Sequence, residues 1–201
     1  MANLRPLLAI VVVLAVGRTR LGVSQWYVGL EIAATRYGGS AHDTTNGHVA
    51  SDGRPGDATA WSIRFGRNWQ RYGIALRATY ANPGLTLAGQ GVSVSDKTAG
   101  KLIEAATMVS TRVGGIGPSG AVRAEVGPSL HLWDFGGEIR SRVGAIGAAV
   151  YEWPFAGRFT AALRLEGMLS RSWFDAADVP PEFERRATWR YGVSFGLRYR
   201  L

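Results

Sequence analysis

Trp189-Arg190-Tyr191-Gly192-Val193-Ser194-Phe195-Gly196-Leu197-Arg198-Tyr199-Arg200-Leu201 separates completely by parity. Its odd positions are all apolar or aromatic, and its even positions are all Arg, Gly or Ser. A period of two sends successive side chains to opposite faces of a strand. This stretch is therefore a β-strand with one apolar face and one face of charge and glycine.

The same pattern recurs upstream. Val122, Ala124, Val126, Pro128, Leu130 and Leu132 alternate with Arg123, Glu125, Gly127, Ser129, His131 and Trp133. Phe159, Ala161, Leu163, Leu165 and Leu169 alternate with Thr160, Ala162, Arg164, Glu166 and Ser170. Trp26, Val28, Leu30 and Ile32 alternate with Tyr27, Gly29, Glu31 and Thr35. No segment sustains a 3.6-residue period. The alternation predicts strands at 25–37, 59–69, 71–81, 101–113, 121–133, 142–153, 158–170 and 187–201. In 142–153 both phases are small residues, so its face stays open.

The links sort by length. Those at 38–58, 82–100 and 171–186 are long. Those near Gln70, at 114–120 and at 153–157 are tight, and 134–141 is intermediate. An even number of antiparallel strands with short links at one end and long links at the other is the plan of an all-β, eight-stranded, up-and-down transmembrane β-barrel.

Alternation alone leaves open which face points inward. A soluble barrel would hide the apolar phase. Two features favour the reverse. Gly29, Gly66, Gly73, Gly127, Gly192 and Gly196 share the charged phase, where they make room for long side chains in a narrow lumen. The apolar phase carries Trp26, Trp61, Tyr72, Tyr80, Trp189 and Tyr199 near strand ends, as interfacial girdles require.

The 201 residues carry a net charge of +8 and no cysteine, with a mean hydropathy near zero. Without cysteine there is no disulfide framework and no thiolate chemistry. Residues 1–24 read as a cleaved signal peptide: Arg5, then the apolar run Leu7 to Val16, then small residues up to Ser24. The apolar run is too short to cross a bilayer as a helix. Removal of 1–24 leaves a barrel domain, 25–201, with 20 basic and 15 acidic residues. The basic residues are scattered singly along strands, so no nucleic-acid partner is expected.

With the polar phase inside, the lumen receives Arg64, Arg77, Arg112, Arg123, Arg164, Arg190, Arg198 and Arg200 against Glu31, Glu104, Glu125 and Glu166. An eight-stranded barrel has an interior that side chains just fill, and charges there must pair or meet water. The expected role is a cross-barrel ion-pair network that plugs the lumen. The excess of Arg over Glu motivates an alternative, a small anion-preferring pore. A second alternative is an acyl hydrolase or transferase acting on lipid A, through Ser129, His131 and Glu125 on one strand face. A lumen-lining trio is the simpler account, and no catalytic residue is assigned. His42, His48, Asp43 and Asp52 lack fixed metal-ligand spacing. No glycine motif cradles a phosphate, so neither metal nor cofactor is expected.

These residues resemble the small OmpA-like and OmpX-like family of bacterial outer-membrane barrels, at the level of pattern and over the whole of 25–201. The resemblance implies export to the outer membrane and contact with its lipids and lipopolysaccharide. It also implies recognition of Trp189, Tyr191, Val193, Phe195, Leu197, Tyr199 and Leu201 by the barrel-assembly machinery. Family members usually end in Phe or Trp, whereas this strand ends in Leu201. The long loops 38–58 and 82–100 are the places for an extracellular ligand or protein. In the second, Leu85, Leu87, Val92 and Val94 suit a protruding sheet edge.

Overall fold

The computed structural model describes residues 25–201 apart from 44–51, 90–91, 99, 118, 136, 180 and 182. The expected signal segment, 1–24, lies outside the described residues, as does His48. The described chain is almost entirely β-structure: β1 (Gln25–Asp43), β2 (Asp52–Pro55), β3 (Ala58–Asn68), β4 (Tyr72–Ala81), β5 (Leu85–Gly89), β6 (Val92–Asp96), β7 (Lys101–Gly114), β8 (Ala121–Phe135), β9 (Glu138–Ala156), β10 (Phe159–Ser170) and β11 (Phe183–Arg200). A single 3-10 turn, Ala176–Asp178, lies between β10 and β11. Among the described residues no helix is long and apolar enough to cross a membrane, and this says nothing of crossing by strands.

Eight strands, β1, β3, β4, β7, β8, β9, β10 and β11, form an antiparallel barrel that the β11–β1 pairing closes. Closure removes the free edges that an open sheet exposes. The seam runs from Tyr27↔Arg200 to Asp43↔Phe183, with a register shift between Gly38 and Ser40. Gly39 adopts φ +80 there, a left-handed conformation that suits a bulge. Where β7 and β8 pair, the ladder passes from Ala106↔Ser129 to Val109↔Val126. Pro128 lies in that gap and has no N–H to give.

The apolar phase faces outward. Leu30, Ile63, Leu76, Val126, Leu165 and Phe195 are exposed, while Glu31, Arg64, Arg77, Glu125, Arg164 and Glu166 are buried. From Trp189 to Tyr199 the strand rises by roughly 33 Å. At a tilt of about 40° this is roughly 25 Å along the barrel axis, the height of a membrane-facing apolar band. Aromatics mark both ends of that band. Trp26 stacks on Phe65 at 5.0 Å near one rim, and Trp189 stacks on Tyr191 at 5.6 Å near the other.

Two expectations from sequence are corrected. The intermediate link 134–141 is a two-residue turn, since Phe135 pairs with Glu138. Gly137 takes φ +93, and the Asp134 carboxylate accepts its amide at 3.0 Å. The long links are partly strand: β1 extends to Asp43, and β11 begins at Phe183. In 82–100, read from sequence as suited to a protruding sheet edge, β5 and β6 pair with each other; β2 pairs with β1 and β5 with β2, which builds a flap beside the mouth.

Candidate functional site

Strand parity places the charged side chains inside, and the register sets their heights. Near the outer mouth, Arg77 on β4 and Arg190 on β11 hold Glu104 on β7 and Glu166 on β10. Arg77 donates to the two Glu166 oxygens at 2.5 and 3.2 Å and to Glu104 at 3.1 Å. Arg190 lies 3.0 Å from Glu104 and 2.9 Å from Glu166. The fork of a guanidinium suits this double contact.

Lower in the barrel, Glu125 on β8 accepts from Arg64 on β3 at 2.7 Å and from Arg164 on β10 at 2.6 Å. Glu31 lies 3.5 Å from Arg164, 3.6 Å from Arg198 and 3.8 Å from Arg64. At the inner end Glu152 on β9 pairs with Arg123 at 3.1 Å and with Arg198 in a close contact. Every member of these sets has a side chain less than a tenth exposed.

Ten of the twelve residues expected in the lumen thus come together, and two do not. Arg112 is exposed at the inner mouth, next to the register shift between Arg112 and Gly114, and its Nε reaches only the Gly114 carbonyl at 3.5 Å. Arg200 is half-buried and donates to the Gly157 carbonyl. Arg112 lies where its strand runs out into water, so its guanidinium needs no carboxylate, whereas Arg200 borders the inner mouth of the lumen. Glu152 was not foreseen, because its strand had no assigned face. In the fold Arg140, Ile146, Val150 and Glu152 are buried, while Ile139 and Val143 are exposed. In the three layers six arginines therefore meet five glutamates, and the excess of Arg over Glu read from the sequence shrinks to one there; Arg140, also buried, pairs with Glu138 and Asp175 at the outer end instead.

Aromatic side chains fill the outer mouth. Trp133 and Tyr37 project from β8 and β1, and Trp173 folds in from the β10–β11 link. Trp133 lies 6.1 Å from Tyr37 and 4.8 Å from Trp173, and Phe135 and Phe174 pack on Trp173 at 5.3 and 5.6 Å. The Trp173 amide donates to Thr188 Oγ1 at 3.2 Å. Arg142 donates to the Ser172 and Trp173 carbonyls at 2.7 and 3.2 Å and to Asp175 at 2.7 Å, so the link is tied to the barrel wall.

Ser129 and His131 are hydrogen-bonded at 2.9 Å, but both are buried, and His131 also lies 3.3 Å from Glu104. Glu125 is engaged by two arginines, so the trio does not form a nucleophile–base–acid chain open to a lipid. On the flap His42 Nδ1 meets Asp52 Oδ1 at 2.5 Å, a cross-strand pair between β1 and β2. Among the described residues no group of three or more His, Asp or Glu is arranged to hold a metal ion. At the flap's far edge, the Thr98 hydroxyl and amide donate to Asp96 at 2.6 and 2.8 Å and hold its carboxyl below the usual range.

A closed eight-stranded antiparallel barrel with charges inside and aliphatic and aromatic side chains outside is the architecture of a transmembrane β-barrel. No protein-family model matches the chain, and no curated protein matches it. Solved structures do. That of Neisserial surface protein A (NspA) covers 89% of this chain and 99% of its own, with TM-score 0.60 and 11% identity. Ail, the attachment invasion locus protein of Yersinia pestis, covers 86% of this chain and 98% of its own, with TM-score 0.40 and 9% identity. The translocator domain of the autotransporter NalP from Neisseria meningitidis covers 97% of this chain and 94% of its own, with TM-score 0.33 and 10% identity. The likeness to NspA is one of fold, and it is the fold expected from the resemblance to small OmpA-like and OmpX-like barrels.

Proposed function

We propose that the chain is exported with 1–24 as a cleaved signal peptide, inserted in a bacterial outer membrane, and kept there as a structural or surface-interaction protein with a plugged lumen. The carrying observation is the near-balance of charge in the three lumen layers: six arginines and five glutamates, all buried and paired with one another. An anion pathway needs uncompensated positive charge lining an open route, and both conditions work against it here. The aromatic cluster around Trp173 lies across the outer mouth, where an ion would enter.

If the lumen is not used for transport, contacts with the outside fall to the rim. The flap of β2, β5 and β6 presents exposed Leu87 and Val94, and β6 is its outermost strand among the described residues. Such an edge suits strand addition by an extracellular peptide or protein. The lipid-facing girdles suit outer-membrane lipids and lipopolysaccharide, and β11 supplies the alternating aromatic strand for the assembly machinery. The chemistry of a lipid A hydrolase is disfavoured by the burial of Ser129 and His131.

The test is fractionation with gel mobility. The protein is expected in the outer-membrane fraction and to run faster unboiled than boiled. Recovery as a soluble periplasmic protein with one mobility would refute the reading.

A further inference from the structure

The inner mouth holds a cavity of about 170 Å³ that the plugged-lumen reading does not use. It is lined by Arg123, Arg198 and Arg200, with Asn68 and Thr160 beside them, and Glu152 is the carboxylate among its lining residues. Tyr27 also lines it and accepts from Arg64 Nε at 2.9 Å, so the cavity abuts the Glu31 and Glu125 layer. The volume is well above the roughly 10–15 Å³ that one water needs.

Two observations point independently to an anion. The lining carries three guanidinium groups against one carboxylate. Several buried donors on those same side chains also have no hydrogen-bond partner among the described residues: Arg123 Nη1, Arg198 Nε and Nη2, the last 3.6 Å from Glu31, and Arg200 Nε. Arg123 and Arg198 have side chains 7% and 3% exposed. A buried donor without an acceptor is costly, and an oxyanion supplies several acceptors at once to planar guanidinium forks. Glu152 neutralises part of the charge but cannot reach all these donors, since its two oxygens are taken by Arg123 and Arg198.

We propose that this inner mouth is a binding site for a small oxyanion of the phosphate class, taken from the aqueous compartment onto which it opens. The site depends on the folded barrel but not on the assignment of function to the rim. Arg123 and Arg198 anchor the ligand from the wall. Arg200, whose guanidinium donates to the Gly157 carbonyl at the rim, closes over it.

Titration calorimetry of the folded chain in a maltoside detergent, with inorganic phosphate at low salt, tests this. Saturable one-site binding is expected, weakened at least tenfold in Arg200→Gln and several-fold in Thr160→Val. Arg112→Gln should bind as the parent does, because Arg112 is exposed at the same mouth but does not line the cavity. Heat-modifiable mobility checks that each variant is folded, which separates failure of the site from failure of the barrel. If Arg200→Gln does not fold, Thr160→Val carries the test. The site is refuted by absence of saturable heat in the parent, by equal loss in Arg112→Gln and the cavity variant, or by binding only to phosphate presented as phosphatidylglycerol micelles.

Discussion

Glu104 carries the charge pattern at the scale of one residue. It is wholly buried and lies between Arg77, Arg190 and His131. Removal of one partner from a buried ion pair leaves the other charged and unpaired, at a cost of about 3–5 kcal/mol. Glu104→Gln is expected to lower stability by that amount, read as the urea midpoint of the barrel in lipid vesicles. Arg112→Gln, at an exposed guanidinium with no carboxylate partner among the described residues, should stay within about 0.5 kcal/mol of the parent. Equal effects of the two would mean that the paired lumen does not support the fold. The difference between these residues was not legible in parity, since both share the inward phase of β7. It comes from position along the strand: Glu104 sits beneath the aromatic cluster of the outer mouth, and Arg112 at the open inner mouth. Trp133 and Tyr27 were legible as inward, because they occupy the charged phase of their strands. Trp173 was not, because a link residue has no period to read.

At the scale of elements, the β11–β1 seam explains why glycine keeps company with charge. Arg198 lies opposite Gly29, and Glu31 opposite Gly196. A Cβ on Gly29 would come within 3.0 Å of Arg198 Cγ, and one on Gly196 within 2.7 Å of Glu31 Cγ. Each glycine thus clears space for the long charged side chain across the seam. Gly196→Val should overpack it and cost about 1–3 kcal/mol, seen as a smaller fraction of the heat-modifiable form after refolding. Unchanged refolding would mean that the glycines answer to something other than lumen space. The alternation that revealed β11 was strong because large and small residues separate cleanly. In β9 it failed, because Ala145, Gly147 and Ala149 are as small as Gly144 and Ala148. That loss hid Glu152 and overstated the positive charge of the lumen. The link 134–141 came out too long for another reason: the Gly-Gly pair at 136–137 is a short-hairpin signal, but the strand patterns read from alternation stop at Trp133 and resume only at Arg142.

For the whole molecule, a protein that turns its apolar face to lipid lacks the usual apolar core. Its interior is held by ion pairs in the middle and an aromatic cluster at one mouth. Charges removed from water are stable only when fully matched, so the same pairing that holds the barrel also occupies the space an ion would cross. On the proposed reading, structure and lack of conduction are one property. Planar-bilayer recording of the purified barrel tests this directly. The account predicts insertion, verified by heat-modifiable mobility of the same sample, without stable current steps. A long-lived anion-selective conductance would contradict it.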